Sequence, residues 1–268
     1  MSTSVAMVDA LAPVHEDPAH SAILLDVDGT LAPIVRHTQD ALVDEATRAL
    51  LIDVSRRYGL VACVSGRRAS DARRIVSIGS IAYLGSHGSE LLAPGSVVPK
   101  LDRELEPWTR RMQQFLRETD STELQHLRVR IEDKGVIAGY HWRGAPNEDA
   151  AHAGVVEVAA RAEAAGLRTH WGRKVLEVRP PVSIDKGVGI TKLLRSRDID
   201  VALYAGDDET DLDAFRALNE LTESGRLRAA VRVGVRSDEG PEEIVSSADV
   251  VVDGTANVRS LLEALLTN

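Results

Sequence analysis

The sequence predicts an α/β fold with a parallel sheet, interrupted by an inserted α+β domain. From about residue 21, short apolar runs alternate with helical patterns, and successive positions within each run are apolar, which is typical of strands buried on both faces. This alternation stops near residue 99 and resumes near residue 183. The 268 residues, 44% apolar and 27% charged, suffice for a substantial core and exclude a disordered or low-complexity chain.

The first part of the chain follows a β-α-β-α-β order. Residues 1–20 contain Pro13 and Pro18 without any periodicity and are predicted as a flexible arm. The predicted strands are 22–25, 60–64 and 81–85. A helix over 46–58 is predicted from Ala46, Leu50, Val54 and Tyr58, and a second helix covers 69–78.

The inserted segment has a different pattern. A helical stripe is followed by pairs of strands joined at turn signals, as in hairpins, with an alanine-rich helix between the pairs. The stripe consists of Leu105, Trp108, Met112, Phe115 and Leu116, and the predicted strands are 127–132, 136–143, 168–171 and 174–179.

The core pattern then resumes and completes the domain. Helices are predicted over 188–194 and 211–218, strands over 201–205, 230–235 and 250–252, and a closing helix contains Leu261, Leu262, Leu265 and Leu266. The expected organisation is an arm (1–20), a core (21–98 with 183–268) and an insert (99–182).

Composition excludes several classes of function. A net charge of −9 and only 3% aromatic residues argue against a nucleic-acid groove and against binding to acidic membranes. No apolar run is long enough to span a membrane, and the N-terminus lacks the pattern of a signal peptide, so we expect a cytoplasmic protein. The single cysteine, Cys63, lies in an apolar run and is expected to be a core thiol.

Polar residues follow the first predicted strand in a pattern that indicates catalysis. Asp26 and Asp28 point to the same side of an extended chain, and their charges repel each other unless a cation or a shared proton intervenes. A turn in which the aspartates bond their own backbone is the alternative, whereas Thr30 and Leu31 do not fit the spacing of a calcium loop.

Three further segments, each at the end of a predicted strand or the start of a predicted helix, carry residues that are suited to the same catalytic site. The segment 65–67 (Ser-Gly-Arg) suits an anion cradle, Lys186 can neutralise a phosphate oxygen, and Asp207 is placed for a hard cation. Taken singly, these features also fit an ordinary loop, a surface charge and helix caps. Their order along the chain favours a phosphate site, because Lys186 and a divalent metal would balance the carboxylates and the phosphate.

These four segments resemble the haloacid dehalogenase superfamily over the whole core, on both sides of the insert. The segment 26–31 resembles its nucleophile motif, Ser65 its second motif, Lys186 its third and the segment 207–211 its acidic fourth. Further strings narrow the resemblance to the trehalose-6-phosphate phosphatases: GSHGSE at 85–90, EDK at 132–134, HWR at 141–143, RKVLEVRP at 173–180 and GDDETDLDAF at 206–215. Trp142 and Leu212 depart from the usual tyrosine and glutamate.

The resemblance implies a Rossmann-like core with an α+β cap, and Mg2+-dependent hydrolysis of trehalose 6-phosphate through an aspartyl-phosphate. It implies Asp26 as nucleophile, Asp28 as general acid and base, and Ser65 and Lys186 as phosphate-holding residues. The implied metal ligands are Asp26, the main-chain carbonyl of Asp28, and Asp207, with Asp208 and Asp211 orienting the site. The implied substrate-binding residues are Gly66, Arg67, His87, Glu132, Lys134, Arg143, Arg173 and Glu177.

Alternatives remain open at this stage. The substrate could be another sugar phosphate, such as sucrose phosphate or mannosylglycerate phosphate, and the charged residues of the insert could be exposed salt bridges. A carbon–halogen hydrolase fits Asp28 and Asp207 poorly, and a sugar-phosphate sensor would be expected to have lost Asp26, Asp28 or Lys186. The length leaves no room for a fused glycosyltransferase. We therefore expect a stand-alone monomer, supplied by a separate trehalose-6-phosphate synthase, with neither nucleic acid nor membrane as a partner.

Overall fold

The computed structural model describes residues 2–35, 40–237 and 240–267. The chain forms two compact units, one made of Met1–Lys100 with Asp185–Asn268, and the other of Leu101–Ile184.

An eight-stranded sheet forms the centre of the first unit, in the order β12-β11-β10-β1-β2-β3-β4-β5. The strands from β12 to β3 pair in parallel, and β4 is antiparallel to β3. The strands are β1 (Ser21–Leu25), β2 (Leu60–Val64), β3 (Ala82–Gly85), β4 (Glu90–Leu92), β5 (Lys100–Leu101), β10 (Val201–Gly206), β11 (Ala229–Arg236) and β12 (Val250–Asp253).

Helices cover both faces of this sheet, as the continuous apolar runs predict. Alternate residues of one strand enter different cores: Ile23 and Leu25 pack on one side, Ala22 and Leu24 on the other. The first side is covered by α1 (Ser2–Glu16), α2 (Glu45–Arg57), α3 (Ala69–Val76) and α10 (Gly254–Leu266). The second side is covered by α7 (Lys186–Arg195), α8 (Asp211–Glu223) and α9 (Glu242–Ser246).

The N-terminal segment differs from the predicted flexible arm, because residues 2–16 form helix α1. Met7, Leu11 and Val14 lie on one helical stripe and are buried in the main core. Helices in proteins are stabilised mainly by packing of an apolar stripe, so Pro13 within the helix does not prevent its formation.

The buried face of α2 agrees with the predicted stripe at Val54 and at Tyr58, just after the helix, but departs from it near the start of the helix. Thr47, Leu51 and Val54 are buried, whereas Ala46 is exposed. Thr47 can be buried because its hydroxyl donates a hydrogen bond of 2.6 Å to Asp44, the residue that caps the helix.

The second unit contains a four-stranded antiparallel sheet in the order β6-β7-β9-β8. Its strands are β6 (Arg130–Asp133), β7 (Ala138–His141), β8 (Arg168–Gly172) and β9 (Val175–Arg179), and its helices are α4 (Glu106–Thr119), α5 (Thr122–His126) and α6 (Glu148–Ala164). Side chains of the three helices and of one sheet face form a separate core around Tyr140 and Leu176.

The strand order of the first unit determines where its functional side chains meet. From β1, the chain proceeds to β2 and β3 on one side, and after the insertion it returns through β10 to β11 and β12 on the other. Ligands of such sheets bind at this reversal point, beyond the carboxyl ends of the strands. None of the helices in the described part of the chain is long and apolar enough to span a membrane.

Candidate active site

Asp26 lies at the reversal point of the sheet, directly after β1. Its backbone N–H donates to the carbonyl of Ala205 at 2.9 Å, so the end of β1 is fixed beside β10. Because β1 also pairs in parallel with β2, the ends of three adjacent strands place Asp26, Ser65 and Asp207 at one edge of the sheet.

Lys186 connects the segment that follows β1 to the acidic segment 207–211. It is the first residue of α7, and its Nζ donates to Asp26 Oδ1 at 2.7 Å and to Asp211 Oδ1 at 2.6 Å. All three side chains are buried. Burial acts to lower the pKa of Lys186, but the Asp211 and Asp26 carboxylates outweigh it and raise that pKa, so the ammonium stays charged.

Asp211 has no free acceptor position. Besides Lys186, its Oδ1 accepts from the Tyr204 hydroxyl, and its Oδ2 accepts from the backbone N–H groups of Asp207 and Asp208, both at 2.9 Å. Four donors satisfy the usual capacity of a carboxylate. Asp211 is therefore held in a fixed position by its donors, one of which is the Asp208 backbone, while the exposed Asp208 side chain accepts from Glu209 N–H.

Among the described residues, a hydrogen-bond donor reaches only one carboxylate oxygen of Asp207, and the other is available. Thr30 donates its hydroxyl proton to Asp207 Oδ1 at 3.0 Å. The carboxylate lies so close to Gly29 that a β-carbon there would come within 2.1 Å of Oδ2, and Gly29 has a φ of +85°. The glycine of the first motif is thus required both by its backbone conformation and by the position of Asp207.

The acidic cluster fits a divalent cation. Oxygens of Asp26, Asp207 and Asp211 lie within 4.8 Å of one another, and Lys186 neutralises only one of these three carboxylates. Burial, followed by the neighbouring Asp211 carboxylate, raises the pKa of Asp207 to about 7, and burial likewise raises the pKa of Asp26. The free oxygens of Asp26 and Asp207 are hard ligands of the kind that Mg2+ prefers.

Asp28 is held by an arginine of the second motif. Arg67 Nε and Nη2 donate to the two oxygens of Asp28, each at 2.6 Å. The buried Ser65 hydroxyl accepts from Arg67 N–H at 3.1 Å, so Arg67 contacts both the loop of Ser65 and that of Asp28. The ring of His87, a residue with φ of +57°, lies against Gly66.

The predicted substrate residues of the second unit lie on its sheet (Glu132 and Glu177) or just beyond the ends of its strands (Lys134, Arg143 and Arg173). Strand register places Glu132 and Glu177 on either side of Gly139 on one face, and Lys134 Nζ donates to Glu177 Oε1 at 2.8 Å. Arg143 and Arg173 are exposed near one end of the sheet, where Arg143 Nη2 donates to the Arg173 carbonyl at 3.3 Å.

Four residues with roles in these contacts were not identified from the sequence. Thr30 and Tyr204 bond the acidic cluster, and His141 and Arg179 bond Glu132 and Glu177. Thr30, His141 and Arg179 stand inside the motif strings, which was the available signal. Tyr204 lies within a strand, where nothing in the residue pattern separates it from a structural position.

Comparison with known proteins places this arrangement in a family. A solved structure of the C-terminal domain of a C. albicans trehalose-6-phosphate phosphatase has the same fold, with a TM-score of 0.73 and 20% identity over 97% of this chain and 98% of that chain. A haloacid dehalogenase-like hydrolase from Bacteroides thetaiotaomicron matches with a TM-score of 0.62 and 15% identity, covering 91% of this chain and 98% of its own. The core thus has the haloacid dehalogenase fold.

Sequence comparison gives the closer assignment. A probable trehalose-phosphate phosphatase D of Arabidopsis thaliana is 31% identical over 209 residues, which is 73% of this chain and 56% of the plant protein. The chain therefore spans about half the length of this curated relative. The family model described as trehalose-phosphatase matches residues 24–250, which is most of the chain and includes every motif discussed above, so the chain belongs to the trehalose-phosphatase family.

Proposed function

We propose that this chain is a phosphatase that hydrolyses trehalose 6-phosphate to trehalose and inorganic phosphate with the help of Mg2+. The observation that carries the proposal is the buried ammonium of Lys186, which links Asp26 to the saturated carboxylate of Asp211 beside Asp207. Such a cluster supplies a nucleophile, a cation for a phosphoryl oxygen and ligands for a metal. The family and the names of its relatives support the choice of substrate.

The proposed reaction has two displacements at phosphorus. An oxygen of Asp26 attacks phosphorus, and the bond between phosphorus and the sugar oxygen breaks. For its role, Asp28 must separate from Arg67 and bind a proton, which it donates to that departing oxygen; it later takes a proton from the attacking water. The water then displaces Asp26 from the aspartyl-phosphate, which releases phosphate and restores the carboxylate. Lys186 and Ser65 hold the oxygens on phosphorus throughout.

The metal is assigned to Asp26, Asp207 and the main-chain carbonyl of Asp28. Asp26 and Asp207 each use one oxygen in a hydrogen bond within the described chain and keep the other for a ligand. When bound, Mg2+ supplies positive charge that stabilises the phosphoryl group as it is transferred. Asp211 is excluded as a direct ligand because its four acceptor positions are already used.

We assign sugar recognition to the second unit, as a cap that selects the substrate. A disaccharide is neutral apart from its phosphate, so it is best recognised by side chains that accept and donate several hydrogen bonds. Glu132, Lys134 and Glu177 on one sheet face offer both capacities. We infer that the substrate comes from a reaction that joins two sugars, one of them phosphorylated.

The proposal is tested by measuring phosphate release from a panel of esters: trehalose 6-phosphate, sucrose 6-phosphate, mannosylglycerate phosphate, glucose 6-phosphate and p-nitrophenyl phosphate. We expect the highest kcat/KM with trehalose 6-phosphate, and loss of activity with EDTA that added Mg2+ reverses. A preference for another sugar phosphate would change the substrate, and binding without phosphate release would indicate a sensor.

The nucleophile is tested by Asp26→Asn, which should lower kcat by about three orders of magnitude or more. Asp53→Asn is the matched control, since Asp53 forms an exposed pair with Arg56 on α2. Substantial turnover by Asp26→Asn would remove Asp26 from its assigned role.

A further inference from the structure

One face of the β6-β7-β9-β8 sheet carries a group of charged and polar side chains. The strand register assigns to this polar sheet face Arg130, Glu132, His141, His170, Glu177 and Arg179, while the opposite face carries Tyr140 and Leu176 into the core. We propose that His141 is a positioning residue that fixes Glu132 so that one oxygen of this carboxylate accepts a hydroxyl of the sugar. This inference rests on the proposed function.

The contact between the two side chains is short and partly shielded. His141 Nε2 lies 2.8 Å from Glu132 Oε2, and the exposed fractions of the two side chains are 22% and 36%. The hydrogen bond from His141 is also the largest of the influences that hold the pKa of Glu132 below its ordinary value, although partial burial acts in the opposite direction. Glu132 is therefore held in place and remains an acceptor near neutral pH.

Gly139 provides the space that this contact needs. It stands directly opposite Glu132 in the β6–β7 register, and it is not in the left-handed region of backbone conformation. A β-carbon at this position would lie 3.1 Å from His141 Nε2 and 3.6 Å from Glu132 Cβ. A side chain at position 139 would crowd the nitrogen of the His141 ring that bonds Glu132. Because glycine has no side chain, the imidazole can reach diagonally across the two strands to Glu132.

Glu132 and Glu177 differ in the number of donors that they accept. Glu177 is buried, with Lys134 on Oε1 and Arg179 Nε and Nη2 on Oε2. Glu132 has His141 on Oε2, and within the described residues no hydrogen bond reaches its Oε1. Both oxygens of Glu177 already accept hydrogen bonds, whereas Glu132 Oε1 has no described donor, so of these two carboxylates Glu132 has the more available oxygen for a ligand.

Fixing Glu132 in advance should lower the cost of binding, because a free glutamate loses rotamer freedom when it engages a ligand. Removal of the imidazole should therefore weaken sugar binding more than it affects phosphoryl transfer. For His141→Ala we expect the KM for trehalose 6-phosphate to rise by up to about tenfold, the effect expected when one flexible side chain must be ordered on binding. The kcat and KM for p-nitrophenyl phosphate should stay unchanged, because this ester has no sugar.

The experiment measures kcat and KM on both esters for the full chain and for four variants: His141→Ala, His141→Gln, Glu132→Ala and Glu132→Ala/His141→Ala. Glutamine keeps a donor, so it should restore at least part of the KM. Because His141 acts through Glu132, the double variant should be no worse than Glu132→Ala. His126→Ala, at an exposed histidine of α5, is the matched control and should match wild type on both esters.

Three results would overturn the inference while leaving the proposed function intact: a His141→Ala variant with wild-type KM for trehalose 6-phosphate, equal losses on both esters, or a full additional loss in the double variant. If His141→Ala does not fold, His141→Gln takes its place in the test. A KM for trehalose 6-phosphate higher than that of Glu132→Ala would then overturn the inference. A wild-type protein that hydrolyses p-nitrophenyl phosphate but not trehalose 6-phosphate would instead reject the proposed substrate, and the inference with it.

Discussion

Asp211→Asn should destabilise the first unit strongly, although the two side chains have nearly the same shape. The carboxylate of Asp211 is fully buried and accepts from Lys186, Tyr204 and two backbone N–H groups. An asparagine amide has one acceptor oxygen, so its NH2 group must face either the Lys186 and Tyr204 donors or the two backbone donors. In each orientation two buried donors lose their acceptor.

The size of the effect follows from two opposing contributions. Removing one partner of a buried ion pair costs roughly 3–5 kcal/mol, and a buried donor without a partner costs about 1–3 kcal/mol. Loss of one negative charge, on the other hand, relieves repulsion on Asp26 and Asp207, whose raised pKa values have Asp211 among their causes. Lys186 also keeps its 2.7 Å bond to Asp26. The net loss is about 3 kcal/mol, a large part of a typical stability of roughly 5–15 kcal/mol.

Urea unfolding in EDTA, followed by far-UV circular dichroism, measures this loss. All three tryptophans, Trp108, Trp142 and Trp171, lie in the second unit, so tryptophan fluorescence alone would monitor the wrong part of the chain. Asp213→Asn is the control: Asp213 pairs at the surface with Arg216, and this variant should lose less than about 1 kcal/mol. An Asp211→Asn variant as stable as the Asp213→Asn control would refute the reasoning.

Three other perturbations have defined outcomes. Gly29→Ala, which places a β-carbon 2.1 Å from Asp207 Oδ2, should weaken Mg2+ binding by about tenfold or more in calorimetry; unchanged affinity would contradict the argument on this glycine. Glu177→Ala should reduce kcat/KM for trehalose 6-phosphate far more than for p-nitrophenyl phosphate, and equal losses would show that the second unit does not select the sugar. Leu11→Ala should lower the free energy of unfolding by roughly 2–5 kcal/mol, against about 0.5 kcal/mol or less for Val8→Ala, because Leu11 is buried and Val8 is exposed; similar values for both would contradict the packing of α1.

The sequence predicted the site of the first unit largely because parallel strands impose a common edge. If residues 22–25, 60–64 and 201–205 are strands of one parallel sheet, the polar residues that follow them must lie at the same edge of that sheet. This holds for any conformation of the loops. The contact between Lys186 and Asp26, 160 positions apart, confirms that these segments meet. The same argument could not predict that Arg67 pairs with Asp28, because this contact depends on the conformations of two loops.

The fold prediction was wrong at positions where it considered only the pattern of apolar residues. Buried Thr47 was overlooked because its hydroxyl is satisfied by Asp44, which no apolar pattern records. Helix α1 was not predicted because the segment contains two prolines and its apolar stripe has only three core residues. The helix is stabilised by the contacts of this stripe with the rest of the core. Both cases depend on partners that are known only after the chain has folded.

Among Asp26, Asp207, Asp211 and Glu132, the number of donors around each carboxylate separates the residues to which we assign a reaction or a ligand from the one that only orients its neighbours. Asp211 is fully buried and accepts four hydrogen bonds. Within the described residues, Asp26, Asp207 and Glu132 each accept one hydrogen bond from a side chain and keep an oxygen that we assign to phosphorus, a metal or a hydroxyl. The sequence pattern does not distinguish these four residues, because their donors come from positions up to 177 residues away. We therefore expect substitution of Asp211 to act mainly on stability, and substitution of the other three mainly on turnover or ligand binding.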